Sequence, residues 1–453
     1  MSSKEGLGAN VTKSTYIKSD GSHAVFAGGQ SYMDVTGERI VETVSTATSV
    51  DFKKDNKGKT TYRSLYDGTW FRISDDNGLH WTDCEEKFCF DTGSDKEQLL
   101  PSGCTLDDKN NVLVRFLMGK KANKDCYGYV NQGTYRAFHS VSRDHGVTWS
   151  EPVQIVDMRE GYDAVSWGPD FIYGKRGGIP HRCVWLDDGS VVVPYEVHER
   201  LDGSRPWYFW IICARGYWKK DMSGFDWVFG DRVEVTPERA SAGCNEPTIV
   251  ALGGDKLFMV TRCGGTTSEG AKEIVEAWTR AIEGGQRDVG IRALRATLDA
   301  GKGFYSSKYC ALSEDAGMTW STPEPLVYDD GTTVWTPASQ AEFYESSKTG
   351  KTYLIANILN KPVHGQTPRY PLTIAEFDRN RRCIVRDSVQ VIQDKPEGAN
   401  EHVRYTNFGR YEDRKTKKLI ITLAEQYRYK GWDEVEKPED RAADCVKYEV
   451  EIA

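Results

Sequence analysis

One eight-residue pattern constrains the fold of this chain more than any other feature. The pattern Ser-x-Asp-x-Gly-x-x-Trp occurs three times, at residues 74–81, 142–149 and 313–320, each time after a short apolar run. The Asp carboxylate can bond the backbone of its own turn, the Gly can adopt a positive φ, and the Trp can pack on the sheet beneath. We therefore expect three copies of a structural β-hairpin turn.

Hairpins that recur at long intervals indicate repeated small sheets, and repeats of several short strands are typical of propeller blades. Strand-turn-strand patterns divide the chain into six units, which begin near residues 23, 99, 178, 244, 335 and 402. We predict an all-β, six-bladed β-propeller that forms a single domain over residues 1–453, because each blade adds its own small core. Pairing of a terminal strand with the blade from the other end of the chain is expected to remove an exposed sheet edge.

The fourth unit contains a different pattern. Between about residues 268 and 300, the stretches EGAKEIVEAWTRAIEGG and RDVGIRALRATLDAG carry apolar residues three and four positions apart, which is a helical spacing. We predict a short helical insertion in the fourth blade, either as a surface excursion or as a lid or subunit contact.

Composition excludes several functional classes. The formal net charge of -8 argues against a general nucleic-acid binder, whose phosphate contacts need a basic face. No apolar run approaches the ~20 residues that span a bilayer, and the polar start MSSKEGLGAN lacks a secretory signal core. The cysteines are spread singly without a CxxC pair, which favours neither a disulfide framework nor a zinc site. We expect no cofactor, metal, nucleic acid or membrane partner. The compartment is intracellular or, after removal of a signal, secreted, and the oligomeric state stays open.

The repeated turn resembles the Asp box of the sialidase family and related propellers. Three later segments extend the resemblance, because they are similar, in the same order, to sialidase segments that carry a Glu-Pro, two arginines and a Tyr: NEPTIVALGGDKLFMVTR, RYPLTIAEFD and RYTNFGRYEDRKTKKLIITLAE. By this resemblance Tyr405 is the nucleophile and Glu246 the base that takes its proton, while Arg262 and Arg369 hold a substrate carboxylate. A phenol needs such a base because its pKa is about 10, and a guanidinium matches the planar carboxylate.

The first unit departs from the sialidase pattern. Sialidases begin with Phe/Tyr-Arg-Ile-Pro, whose Arg is the first of three carboxylate ligands, followed by an Asp that serves as acid and base. The nearest stretch, GGQSYMDVTGERI, lacks that Arg. The third unit instead offers His181, a candidate acid or base, followed by Arg182, at the start of an inner strand. Asp163 lies in a turn-rich segment, residues 158–177, that is a candidate rim of the cleft. We expect Arg182 and Asp163 to contact the substrate.

Three functional hypotheses follow from these residues. In the first, the protein is an exo-acting glycoside hydrolase of the sialidase-like superfamily that removes a terminal acidic sugar with retention through Tyr405. In the second, it is a propeller polysaccharide lyase or a uronate-directed glycosidase, in which His181 and a Tyr move the protons. In the third, it binds carbohydrate without turnover. All three require an acidic sugar or glycan as the partner.

Overall fold

Six antiparallel sheets follow one another along the chain. The computed structural model describes residues 7–49, 53–54, 60–61, 64–88, 98–120, 135–157, 183–200, 207–235, 239–240, 243–263, 306–363, 365–431, 434 and 437–453. The first strands of neighbouring sheets contact each other at most of the junctions, so these strands line a central axis and the sheets radiate from it as blades. The protein is therefore a six-bladed β-propeller, as its sequence predicts.

The chain begins with strand β1 (Asn10–Ile17), which belongs to the last blade. Blade 1 consists of β2 (Ala24–Tyr32), β3 (Ile40–Ser49), β6 (Ser64–Ser74) and β7 (Thr82–Phe88), with β4 (Lys53–Lys54) and β5 (Thr60–Thr61) as a separate pair. Blade 2 consists of β8 (Gln98–Asp107), β9 (Val112–Lys120), β10 (Tyr135–Ser142) and β11 (Val153–Ile155). Blade 3 consists of β12 (Val184–Trp185), β13 (Val191–Arg200), β14 (Trp207–Trp218) and β15 (Phe225–Phe229).

The second half of the chain repeats this arrangement. Blade 4 consists of β16 (Cys244–Gly253), β17 (Lys256–Cys263), β18 (Ser307–Ser313) and β19 (Glu324–Pro325). Blade 5 consists of β20 (Glu342–Glu345), β21 (Thr352–Ala356), β22 (Leu372–Asp378), β23 (Cys383–Ile384) and β24 (Gln390–Gln393). Blade 6 consists of β25 (Gly409–Glu412), β26 (Leu419–Ala424), β27 (Cys445–Glu451) and β1.

The ring closes through the termini of the chain. Strand β1 pairs antiparallel with β27, from Asn10 opposite Glu451 to Ile17 opposite Cys445. This pairing joins the two ends of the chain in one sheet, which is the closure that the sequence predicts, and it covers an edge that β27 would otherwise expose.

The described residues contain no α-helix. They include two short 3-10 turns, Arg386–Ser388 and Pro438–Arg441. The predicted helical insertion at residues 268–300 lies outside the described residues, so the helical part of the predicted fold is not confirmed. Within the described ranges, no helix has the length and apolarity needed to cross a membrane.

The three repeated motifs form the same turn. In every copy the Ser hydroxyl donates to the Asp carboxylate at 2.8 Å and accepts from the Gly backbone N–H at 2.8 Å. The Asp also accepts the backbone N–H four residues further on, again at 2.8 Å. Each Gly has a φ between 83° and 86°, which side chains rarely tolerate. These turns link the third strand of a blade to its fourth.

The antiparallel order gives the propeller two distinct faces. In every blade the first and third strands begin on the same side of the ring, and the second strand ends there. We call this side the front face. The three repeated turns follow third strands and therefore lie on the opposite side, the back face. Polar residues at the starts of first and third strands and at the ends of second strands come together on the front face, even when they are far apart in sequence.

The apolar core lies between neighbouring blades. One cluster joins blades 2 and 3 through residues such as Phe116, Val193 and Trp210. Another joins blades 5 and 6 through residues such as Ile374 and Ile421. Burial of one such side chain contributes roughly 1.5 to 3 kcal/mol, so blade contacts stabilise the ring as a whole.

Blades 1 and 6 meet at a pair of glycines, which generates a test of the packing. A Cβ on Gly409 would lie 2.4 Å from the Cα of Gly28, whereas a Cβ on Gly28 would lie 3.4 Å from the Cα of Gly409. Gly409→Ala is therefore expected to lower the free energy of unfolding by about 1 to 3 kcal/mol, because the backbones must separate. Gly28→Ala, the matched control, should cost less. Urea unfolding measures both, and equal losses would contradict this packing.

Candidate ligand-binding site

Two of the predicted site residues form an ion pair on the front face. Glu246 is the third residue of β16 and Arg262 the second-last residue of β17. The Arg262 Nη1 donates to the Glu246 Oε1 at 2.6 Å, and both side chains are partly exposed. The structure thus brings together a carboxylate and a guanidinium that are sixteen residues apart in sequence.

Arg369 joins this pair from blade 5. It precedes β22 and is 5% exposed. Burial, together with the positive charges of Arg262 and Arg404, lowers the pKa of Arg369 to about 9, so the group is still a cation at neutral pH. Its guanidinium donates to the Gln366 Oε1 at 2.8 Å and to the Ala338 backbone oxygen at 3.4 Å. These acceptors are neutral, so they orient the guanidinium without cancelling its charge.

Arg404, which sequence reasoning missed, supplies a third guanidinium. Arg404 forms an isolated parallel β-bridge with Arg369. Its guanidinium carbon lies 4.7 Å from the centre of the Tyr427 ring. The guanidinium of Arg441 lies 5.5 Å from the same ring. Arg404 directly precedes Tyr405, and neighbouring residues in extended chain point to opposite sides. That alternation was the signal that only one of the two side chains could face the arginines.

Lys308 was also missed, and it lies beneath the ion pair. It is fully buried and stands directly opposite Arg262 in the pairing of β17 with β18. Its Nζ donates to the backbone oxygen of Ser339. Burial lowers the pKa of Lys308 to about 7; the charge of Glu246 opposes this shift and the charge of Arg262 adds to it.

The backbone of Glu246 is held in an unusual conformation. Its φ is 46°, in the left-handed region that few residues other than Gly adopt, at a point where the register of β16 against β17 shifts. Its N–H donates to the Oε2 of Glu196 at 3.0 Å. Glu196 belongs to β13 of blade 3 and is 5% exposed. A buried carboxylate of the neighbouring blade therefore helps to fix the direction of the Glu246 side chain.

Tyr405 does not join this cluster through its side chain. It is fully buried in the core between blades 5 and 6, and its hydroxyl donates to the Oε1 of Glu425 at 3.1 Å. Glu425 also accepts from Lys13 and Arg428, each at 2.7 Å. Burial and the negative charge of Glu425 both raise the pKa of Tyr405. The Tyr405 hydroxyl thus donates to Glu425 instead of Glu246, the predicted partner, because it lies in the core between blades 5 and 6.

Three predicted site residues lie outside the described residues, namely Asp163, His181 and Arg182. Their roles stay predictions. In the part of the chain that the structure describes, no group of three or more His, Cys, Asp and Glu side chains is arranged to hold a metal ion.

Comparison with known proteins supports the architecture. A family model described as "BNR repeat-like domain" matches residues 20–287, more than half of the chain. No curated protein sequence matches significantly. Among solved structures, a protein of unknown function from Dyadobacter fermentans DSM 18053 is 12% identical, with a TM-score of 0.58, and the match covers 98% of this chain and 100% of that one.

Two sialidase structures are also similar. The NanB sialidase from Streptococcus pneumoniae is 12% identical with a TM-score of 0.53, over 96% of this chain and 70% of that one. The Trypanosoma rangeli sialidase, in complex with sialic acid, is 13% identical with a TM-score of 0.50, over 97% of this chain and 59% of that one. At these identities the similarity establishes a shared fold.

The backbone conformation of Glu246 can be tested by two substitutions that remove the same carboxylate. Glu246→Gly and Glu246→Ala both break the ion pair with Arg262, but only Gly adopts a positive φ without strain. We expect the Gly variant to be more stable than the Ala variant by about 1 kcal/mol, the lower end of the left-handed penalty. Chemical unfolding of both variants measures the difference. A more stable Ala variant would show that the backbone here is not strained.

Proposed function

The chain belongs to the BNR repeat-like domain family of sialidase-like propellers, and we propose that it is an exo-acting glycoside hydrolase that removes a terminal acidic sugar. One observation supports this proposal above others. Among the residues that the structure describes, side chains from blades 4, 5 and 6 gather more positive than negative charge at one place on the front face. Such a surplus, held in place by the fold, favours an anionic ligand.

The charge surplus comes from fixed groups. Arg262, Arg369 and Arg404 contribute the cations, and Glu246 of blade 4 and Glu196 of blade 3 contribute the carboxylates. Lys308 lies beside them, with a pKa that burial lowers to about 7. Arg369 has little freedom to move because neutral acceptors hold it. A guanidinium that is oriented in advance binds a planar carboxylate with two parallel hydrogen bonds and loses little entropy. The carboxylate of an acidic sugar fits this arrangement.

Arg404 is a candidate to replace the arginine that the first blade lacks. The segment GGQSYMDVTGERI lacks the first of the three carboxylate ligands that the sialidase resemblance implies. Arg404 interacts electrostatically with Arg369 and lies on the same face, so we assign it the third place around the carboxylate. The arginine set of this chain would then come from blades 4, 5 and 6.

A retaining mechanism needs a nucleophile, and two tyrosines adjoin Arg404, Tyr405 in sequence and Tyr427 in space. Tyr405 donates to Glu425, which is the carboxylate placed to receive its proton. Burial opposes the shift, but the hydrogen bonds and charges of Lys13 and Arg428 lower the pKa of Glu425, so it is a weak base as it stands. Tyr427 lies against Arg404 on the side of the arginines. We propose Tyr405 as the nucleophile, as the resemblance implies, with Glu425 in the place that the resemblance gives to Glu246. Because the Tyr405 hydroxyl is buried between blades 5 and 6, this role requires that packing to open toward the arginines. Glu246 is then left to bind the sugar or to move a proton.

A second candidate function is carbohydrate binding without turnover. The observation that favours it is the complete burial of Tyr405, whose hydroxyl is occupied by Glu425. The lyase or uronate-directed glycosidase that uses His181 stays a further hypothesis, since His181 lies outside the described residues. The products separate them, since a lyase creates an unsaturated sugar that absorbs ultraviolet light and a hydrolase does not.

Binding of acidic sugars tests the anion site. We expect sialic acid or a uronic acid to bind in isothermal titration calorimetry and galactose, which has no carboxylate, to bind more weakly. Arg369→Met should weaken acidic-sugar binding by about tenfold or more, because a charge-assisted pair is lost. Arg379→Met is the matched control, since Arg379 follows β22 on the back face and pairs with Glu345. Equal affinities for acidic and neutral sugars would rule out the anion site.

Turnover tests the choice of nucleophile. Chromogenic acidic glycosides are offered to the wild type, to Tyr405→Phe and to Tyr427→Phe. If Tyr405 is the nucleophile, its Phe variant loses turnover yet remains folded, because Glu425 keeps Lys13 and Arg428 as partners. Unchanged turnover in Tyr405→Phe would remove Tyr405 from the mechanism. Binding of acidic sugar by a wild type that turns nothing over would support the second candidate function.

A further inference from the structure

One buried charged group in the cluster has no part in the proposed chemistry. Lys308 is fully buried, so it cannot touch a bound sugar directly. Its Nζ donates to a backbone oxygen, that of Ser339, in the segment that leads into blade 5. Lys308 therefore connects blade 4 to blade 5 at the place where Arg262 and Arg369 meet.

The groups that face Lys308 come from four elements. Glu246 of β16 is the carboxylate, and it favours the charged ammonium. Arg262 of β17, directly opposite in register, and Arg369 before β22 disfavour it, while the thiol of Cys263 on β17 is a further titratable neighbour and favours it. The fourth element is the segment before β20, whose Ser339 backbone oxygen accepts a hydrogen bond from the Lys308 Nζ. Lys308 thus lies next to two groups that are cations at neutral pH, in a position where an additional positive charge on its own amine is unfavourable.

We propose that Lys308 is a proton-linked specificity residue of this site, whose protonated ammonium strengthens the binding of an anionic ligand and whose neutral amine does not. The proposal deepens the proposed function and rests on its anion site, not on its catalytic step. Arginines cannot serve this purpose, because they keep their charge at every physiological pH, whereas a buried lysine gives up its proton readily.

The coupling follows from the charges. An anion bound to Arg262 and Arg369 offsets the two positive charges that face Lys308, so the ammonium becomes more favourable once the ligand is present. When Lys308 is a neutral amine before binding, it takes one proton from the solvent as the anion binds. By thermodynamic linkage, if binding of the anion favours protonation of Lys308, then protonation of Lys308 favours binding of the anion by the same free energy, so lower pH strengthens anion binding. Ligand affinity is therefore expected to fall as pH rises through the range in which Lys308 loses its proton.

The sugar experiment uses sialic acid and glucuronic acid as probes. Isothermal titration calorimetry in two buffers of different ionisation enthalpy, from pH 6 to about pH 8.5, reports proton uptake and affinity together. The wild type should take up protons on binding and lose affinity as pH rises. Lys308→Met should show no proton uptake from this position and bind about tenfold more weakly at pH 6, because one nearby charge is gone. Lys308→Arg, a permanent cation, should bind tightly with a flat pH profile.

The same pH slope in Lys308→Met as in the wild type would overturn the proposal. Where Lys308→Met does not fold, Lys308→Gln takes its place, since a neutral amide can still donate to the Ser339 oxygen. Circular dichroism confirms the fold of each variant before binding is measured.

A second measurement separates this proposal from the proposed function. The full-length protein with carbon-13-labelled lysines is titrated by NMR, with and without saturating sodium acetate as the simplest carboxylate. The Lys308 signal, identified by its loss in the variant, should titrate near neutral pH and shift to higher pH with acetate. This result would support the proposal even if neither sugar binds, in which case only the acidic-sugar function fails. A Lys308 that titrates only above about pH 9, as an ordinary lysine does, or that ignores acetate, would overturn it.

Discussion

The antiparallel pairing of β1 with β27 is the interaction on which the rest of the structure depends. A ring of blades has no fixed geometry until its ends meet, and this pairing sets blade 6 against blade 1. It also carries Lys13 of β1 to Glu425, 412 residues away in sequence. Glu425 in turn accepts from Tyr405, so the closure of the ring reaches the residue that adjoins the arginine cluster.

Electrostatic balance explains the remaining features of the front face. The basic groups can lie close together because each has a different stabilising partner. Arg262 pairs with the Glu246 carboxylate, and Arg369 donates to neutral acceptors. Lys308 donates to a backbone oxygen, and its lowered pKa lets it lose its proton. Glu246 in turn owes its orientation to the carboxylate of Glu196. Such an arrangement costs stability without a ligand, and it is therefore typical of binding sites.

The sequence predicted the fold well because the signal was local and repeated. A turn that needs Ser, Asp, Gly and Trp at fixed offsets can be recognised in a single sequence, and three copies imply repeated sheets. The spacing of Glu246 and Arg262 along adjacent strands was similarly informative. The helical insertion and the residues Asp163, His181 and Arg182 stay predictions, since they lie outside the described residues.

The rest of the site could not be read in the same way. Whether Arg404 or Tyr405 faces the arginines depends on the alternation of side chains in the segment that precedes β25, which the sequence does not fix. The partners of Tyr405 and Glu246, namely Glu425 and Glu196, come from a later strand and from a neighbouring blade. Lys308 could be recognised as part of the site only from its burial in the structure, which no pattern in the sequence of its own strand indicated.

The most direct test of the anion site is a crystal structure of the protein with an acidic monosaccharide. The carboxylate of the sugar should lie on the front face and accept hydrogen bonds from the guanidinium groups of Arg369, Arg262 and Arg404. A sugar that binds elsewhere, or that turns its carboxylate to solvent and contacts this cluster only through hydroxyl groups, would contradict the account.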